Sequence, residues 1–581
     1  MNPKLLSLPN TRWLRTIRWL RTFRWGVAAV AAAAAVAVCV PASSAQVLVG
    51  EGVLARSGIV VVGTTSGFSG GNWGDPTADA VSKDSYGKYQ AAQDPGSLYT
   101  VGKAIGARGL WAKKDKLGRQ LTGQGVSVAV LDSGVAAVAG LGGTGKVTYG
   151  PDLSIEANGV LTQQDTFGHG TFMAGIIAGR GTTNPSSDLP TASANVQLGV
   201  APDAKLLALK LATTDGSADV SQVIAALDWV TQHPVLPDGT PVRVINLSYG
   251  TNSTQAYLAD PLAAAAENAW RHGIVVVTSA GNNGSLTGRL TDPATDPYVI
   301  AVGATDSNER TDGWAPKNTM AASYSQVGST DRHVDLVAPG TSLVSVRAPG
   351  SFVDVNNPSG LVSGDVGGTL FRGSGTSQAA AVVSGSVALL LQAYPSLTPD
   401  QVKYALTSSA DPIHNASLTT VGAGALNLNR ALDTATHLSG TDSTAATMRA
   451  AAVQGFPSST GQGSIDASRG GSVLVDADGN DLAGEVDAQG NTWDPAAWWQ
   501  ATSTLSSWSG GQWLGVTWTG DDWAPDSGGL SSSRWSSSRW SSSRWSTADW
   551  SSSRWSSSRW SSSRWSSSRW SSSRWSALDW F

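Results

Sequence analysis

Between residues 99 and 432 short apolar runs rich in β-branched residues alternate with segments of helical period, and this alternation restricts the fold more than any other feature of the chain. The runs at 126–131, 206–211, 242–247, 274–278 and 299–302 are continuous, as strands buried on both faces of a parallel sheet require. Between them, Val220, Val223, Ile224, Leu227 and Val230 follow the spacing of a helix packed on one face. The Ala-rich stretch 262–271 stops before Gly273, a residue that accepts the left-handed conformation at a helix end. Thr398-Pro399-Asp400-Gln401 predicts a capping box with Pro in the first turn. Strands alternating with helices imply an α/β domain whose parallel sheet is covered on both sides, placed at 99–437.

The flanks have other compositions. Lys4 and five arginines from Arg12 to Arg24 precede an unbroken apolar run at 26–40, which Pro41 ends. Ser43-Ser44-Ala45 then offers small residues for cleavage, so 1–45 is expected to be a signal peptide; the run is short for a membrane span of roughly 20 residues. The only cysteine, Cys39, lies inside this leader, so the processed chain would hold no disulfide and no Cys–metal site. Residues 46–98 are rich in Gly, Ser and Asp and are expected to form an N-terminal extension or pro-segment. A formal net charge of −4 over 581 residues gives no reason to expect a nucleic-acid partner.

After residue 437 the chain turns Ser-, Gly- and Thr-rich with scattered Trp, and 438–530 is expected to be a linker region. Residues 531–580 are ten pentads ending in Trp, eight of them Ser-Ser-Ser-Arg-Trp, and the same spacing already appears at Trp508, Trp513, Trp518 and Trp523. Five is odd, so successive Trp would fall on opposite faces of a flat strand. On a helix each would turn about 140° from the last. Neither element makes one apolar face, which leaves a disordered tail or a compact coil with its indoles stacked inside. Either way 531–581 is expected to be separable from the domain, and its positive charge and indoles suit a cell wall or membrane surface.

Three motifs carry chemistry. In Val130-Leu131-Asp132-Ser133-Gly134 an apolar strand ends on a carboxylate at the edge where open α/β sheets place their sites; alone it reads more readily as a turn Asp capping a loop. In Phe167-Gly168-His169-Gly170-Thr171 glycines on both sides let backbone approach the imidazole, and a small-residue helix follows. In Gly373-Ser374-Gly375-Thr376-Ser377 a Ser opens a long apolar helix, either as a cap or as a nucleophile favoured by the free N–H groups there. His233, His272, His333, His414 and His437 lack such surroundings.

Asp-Ser-Gly, Gly-His-Gly-Thr and Gly-Thr-Ser in this order resemble the subtilisin family. Ile245-Asn246-Leu247-Ser248-Tyr249-Gly250 is similar to its substrate-binding strand. Thr278-Ser279-Ala280-Gly281-Asn282-Asn283-Gly284 is similar to the loop carrying its oxyanion-hole Asn, and Asp335 to Gly340 to the loop before its Ser segment. The resemblance implies a subtilisin-like three-layer α/β/α fold with a mostly parallel central sheet, and a secreted or envelope-associated serine endopeptidase. Asp132, His169 and Ser377 would be catalytic, and Asn282 would serve the oxyanion hole. Ser248, Tyr249, Gly250 and Gly281 would bind substrate, with Tyr249 and Gly281 shaping a pocket for large apolar side chains. A monomer acting on proteins or peptides is expected. No cofactor is required by this reading, and calcium enters only as a structural ion allowed by the resemblance. Gln378, Ala381 and Val382 depart from the family's Met, Pro and His in the Ser helix. A rival reading is an inactive fold of this kind serving as an envelope-binding module. Asp165, four residues before His169, reads as a structural carboxylate.

Overall fold

The computed structural model describes residues 89–518, apart from 155, 158–160, 307–318, 472–473, 476–480 and 483, and again 544–545. The expected signal peptide, most of the 46–98 extension and nearly all of the pentad repeat lie outside the described residues. Strands β1 (Ser127–Asp132), β2 (Val147–Asp152), β3 (Lys205–Lys210), β4 (Val242–Leu247), β5 (Val275–Ser279), β6 (Ile300–Asp306), β7 (Met320–Ala321) and β8 (Leu336–Pro339) form one sheet. Its order is β2-β3-β1-β4-β5-β6-β7, with β8 also on β6. Every pairing is parallel except β6 with β7.

The first seven α-helices among the described residues are α1 (Leu98–Ala104), α2 (Ala107–Trp111), α3 (His169–Ala178), α4 (Val220–Gln232), α5 (Pro261–Arg271), α6 (Phe352–Asn356) and α7 (Thr376–Ala393). α3 and α7 pack together against one face, and α4 and α5 together against the other. The result is the expected three-layer α/β/α arrangement. α7 is apolar enough to cross a membrane, yet it is wholly buried and forms the middle of the core. The hairpin of β9 (Leu343–Val346) and β10 (Leu370–Ser374) leads into it. Thr398 caps the helix Pro399–Ser408 through the expected box, accepting from the Gln401 N–H while the Gln401 side chain accepts from the Thr398 N–H.

Two boundaries differ from expectation. The end of the 46–98 extension belongs to the domain: Tyr89 and Ala91 are buried against Val344, Val362 and Leu370, and Arg372 forms an ion pair with Asp94. The expected 438–530 linker is folded onto the same core as far as its described residues go. Its aliphatic content is low, but Trp493, Trp498, Trp508, Trp513 and Trp518 are all buried. Residues 508–509, 512–513 and 516–517 form a small antiparallel meander. One short strand plus its turn takes four residues here, so the Trp five residues on from Trp508 pairs with it across the first turn, and Trp513 and Trp518 meet edge to face at 4.9 Å. This is the compact alternative for these first pentads. Within the repeat itself, Arg544–Trp545 pairs antiparallel with Gly373 and Ser374 of β10, so this tail is not wholly apart from the domain.

The tryptophans explain why α4, expected to pack on one face, is buried nearly all round. Trp498 and Trp513 donate their indole N–H groups to Asp228 Oδ2 at 3.1 and 2.9 Å, and the Thr502 hydroxyl donates to Oδ1. Burial pushes the Asp228 carboxyl up to about 6, against these hydrogen bonds. A carboxyl raised above its unfolded value favours folding while protonated, and this contribution is lost as pH rises through about 6. Asn at this position could accept both indole N–H groups with its oxygen and donate to Thr502 with its nitrogen. Asp228→Asn is therefore expected to raise Tm by about 2–5 °C at pH 8 and to leave it nearly unchanged at pH 4. Equal shifts at both pH values in a thermal melt would show that Asp228 is not ionised at cost in the folded protein.

Candidate active site

Asp132 is the last residue of β1, at the carboxyl edge of the sheet, and His169 is the first of α3. Both side chains are fully buried. His169 Nδ1 lies 2.8 and 2.9 Å from the two carboxylate oxygens of Asp132. A carboxylate can only accept, so Nδ1 carries a proton, and in the neutral imidazole Nε2 is then the acceptor. Gly170 makes this approach possible. A Cβ there would stand 2.1 Å from the Gly134 carbonyl oxygen and 3.1 Å from Asp132 Cβ.

Asp165 braces the same junction. It accepts from the Gly168 N–H at 2.6 Å, the Thr171 N–H at 2.7 Å and the hydroxyls of Thr171 and Ser133 at 2.5 and 2.8 Å. The Ser133 hydroxyl in turn accepts the Gly170 N–H at 2.9 Å. Burial raises the Asp165 carboxyl above its ordinary value, opposed by these donors. The side chain ties the Asp132 turn to the start of α3, the structural role its sequence context implied.

Ser377 is the second residue of α7 and meets Ser248, just past the carboxyl end of β4, the strand parallel to β1, so the third motif opens at the same edge of the sheet as Asp132. A polar chain runs beside it through otherwise apolar core. Ser384 Oγ donates to Asn246 Oδ1 at 2.9 Å, Asn246 Nδ2 to Ser248 Oγ at 3.0 Å, and Ser248 Oγ to the Ser377 carbonyl at 3.2 Å. Ser377 Oγ itself lies 3.5 Å from the Ser248 carbonyl oxygen, at the limit of a hydrogen bond. Gln378, Ala381 and Val382 leave α7 uninterrupted from Thr376 to Ala393.

Asn282 Oδ1 accepts from the Thr376 N–H at 2.8 Å and from its hydroxyl at 2.9 Å. Since a backbone N–H can only donate, the oxygen end of this amide faces Thr376, and the NH₂ end is turned away from it. The Gly281 N–H donates to the same Thr376 hydroxyl at 3.2 Å, which fixes the loop on the start of α7. Ser248 and Gly250 follow β4 as expected. Tyr249 does not face a pocket: its side chain is 1% exposed and its hydroxyl points to the Ala218 carbonyl at 3.4 Å. A large apolar ring next to a buried strand end is drawn into the core. Sequence reasoning also missed Thr291. A Cβ on Gly250 would lie 2.5 Å from its Oγ1, and one on Gly281 would lie 2.8 Å from its Cγ2. Thr291 thus fills the gap between the two segments, and nothing in its local sequence signals this.

Residues 123–463 match the sequence profile described as the subtilase family. The chain is 33% identical over 315 residues to the serine protease AprX of Bacillus subtilis, across 53% of this chain and 66% of AprX. It is 32% identical over 313 residues to subtilisin Savinase of Lederbergia lenta, across 54% of this chain and 93% of that one. A solved structure of a cold adapted subtilisin-like serine proteinase is 26% identical, covering 57% of this chain and 98% of its own, with a TM-score of 0.40. With the profile spanning more than half of its length, the chain belongs to the subtilase family and is a subtilisin-like serine protease.

Proposed function

We propose that this chain is a secreted endopeptidase working through Asp132, His169 and Ser377. The observation that carries the reading is the buried Asp132–His169 pair, with His169 at the head of a helix packed on the helix that Thr376-Ser377 opens. Ser377 Oγ attacks the scissile carbonyl carbon as His169 Nε2 takes its proton, giving a tetrahedral oxyanion. The C–N bond then breaks, His169 returns the proton to the leaving amine, and an ester links the acyl group to Ser377. Water, deprotonated by His169, hydrolyses that ester and restores Ser377. Asp132 holds the imidazole tautomer and stabilises its charged form. The Asn282 amide and the Ser377 N–H receive the oxyanion.

Substrate backbone adds as a strand along Ser248–Gly250. Because Thr291 closes the gap between Gly250 and Gly281, short side chains are favoured at the cleaved residue in place of the large apolar ones expected from sequence. Among the described residues no group of three or more Asp, Glu, His or Cys side chains is arranged to hold a metal ion. The basic leader supports export, and the Arg and Trp of the repeat support contact with an anionic envelope surface. Incubating the purified protein with casein and a mixed peptide library tests the reading. Cleavage that diisopropyl fluorophosphate abolishes is expected, and stable casein would favour a binding module instead.

A further inference from the structure

Ser468 and Arg469 stand just beyond the family match, which ends at residue 463, yet they reach both flanks of the Ser248–Gly250 edge. Past Leu247 the chain leaves the sheet ladder, so this edge depends on other contacts to stay extended. On its C-terminal side, Thr251 Oγ1 donates to the Ser468 carbonyl at 2.6 Å. Ser468 Oγ donates at 2.6 Å to Asp260, the N-cap of α5. Gly470 lies so close that a Cβ on it would be 2.4 Å from the Ser253 nitrogen. On the other flank, Arg469 is buried, with Nε donating to Asp219 Oδ2 at 2.9 Å and Nη2 to the Val486 carbonyl. Asp219 is the N-cap of α4, and its neighbour Ala218 supplies the carbonyl that Tyr249 meets. A desolvated guanidinium is retained only where partners compensate it, and here they fix the segment that fixes Tyr249.

We infer that Ser468 and Arg469 are positioning residues for the substrate-binding edge, so that a segment outside the family domain sets how well extended peptides bind. The inference rests on the endopeptidase reading above. A strand-adding edge must be held before the substrate arrives, because misplacement of its backbone is paid in binding of every residue that pairs with it. His169 and Asn282 are held by α3, α7 and their own loops; Ser377 meets this edge at Ser248, three residues before the gripped Thr251, and its place at the start of α7 is set by the helix.

The test uses the full-length enzyme and the variants Thr251→Val, Ser468→Ala and Arg469→Met, with Arg469→Lys as a conservative rescue. Two readouts are compared: kcat and KM on a tetrapeptide amide, and the rate of labelling by diisopropyl fluorophosphate, which engages only the reacting centre. KM for the tetrapeptide is expected to rise about tenfold in each of the first three variants, with kcat and labelling within about twofold of wild type and partial recovery in Arg469→Lys. Labelling that falls in parallel with peptide turnover, or a KM that does not move, overturns the inference. If Arg469→Met fails to fold in a thermal melt, the near-isosteric Thr251→Val decides by the same criteria. A wild-type enzyme that neither labels nor cleaves refutes the endopeptidase reading itself, which is a different failure.

Discussion

Ser377→Ala is expected to lower kcat by about 10⁶ while the protein stays folded, the size of the loss caused by removing the same nucleophile in subtilisin. That corresponds to about 8 kcal/mol of transition-state stabilisation. Stability should barely change, for three reasons. The hydroxyl makes only a marginal 3.5 Å contact with the Ser248 carbonyl. It does not cap α7, whose N-cap position is Gly375. Alanine also suits a helix better than serine does. Activity and fold therefore separate cleanly at this position. A variant within tenfold of wild-type turnover would remove Ser377 from the mechanism. A variant that lost activity together with its thermal transition would leave the hydroxyl with a structural role that its contacts do not suggest.

Asn282→Ala is expected to lower kcat by about 10²–10³ with little change in KM, since the oxyanion forms after substrate has bound. Alanine also deprives the Thr376 N–H and hydroxyl of their acceptor, so the single variant mixes two effects. Asn282→Asp separates them, because Asp keeps an oxygen for Thr376 and loses the NH₂ donor. The two variants should be impaired to a similar degree if donation to the oxyanion is the function of Asn282. Recovery of kcat in Asn282→Asp would instead make Asn282 a brace for the start of α7.

The buried strands and the three motifs were legible because each obeys a local rule. Continuous β-branched runs cannot be solvated, and a carboxylate at a strand end followed by Gly sits at a sheet edge. The glycines beside His169 were expected to let backbone approach the imidazole; at Gly170 the close neighbour is instead the Gly134 carbonyl, which any side chain there would strike. Non-local features stayed hidden. Thr291 lies some forty residues from Gly250 in sequence, and only folding brings them together. Tyr249 looked like a pocket wall because its neighbours face substrate in the family, but its ring is part of the core. The Trp-bearing stretch read as a linker because its core has hardly any aliphatic residues. Its ordering depends on Asp228, Ala225 and Gln232 of α4, more than 200 residues upstream. The five-residue period was visible, but the partner that lets the indoles pack was not.

The proposed mechanism requires that Ser377 be made nucleophilic by the His169–Asp132 pair. The most direct measurement is labelling of the intact protein with diisopropyl fluorophosphate, followed by peptide mapping by mass spectrometry, in wild type and in His169→Ala. A single diisopropylphosphoryl adduct on Ser377 is expected in the wild type and none above background in the variant. An adduct on another serine, or labelling of Ser377 at the same rate without His169, would contradict the mechanism.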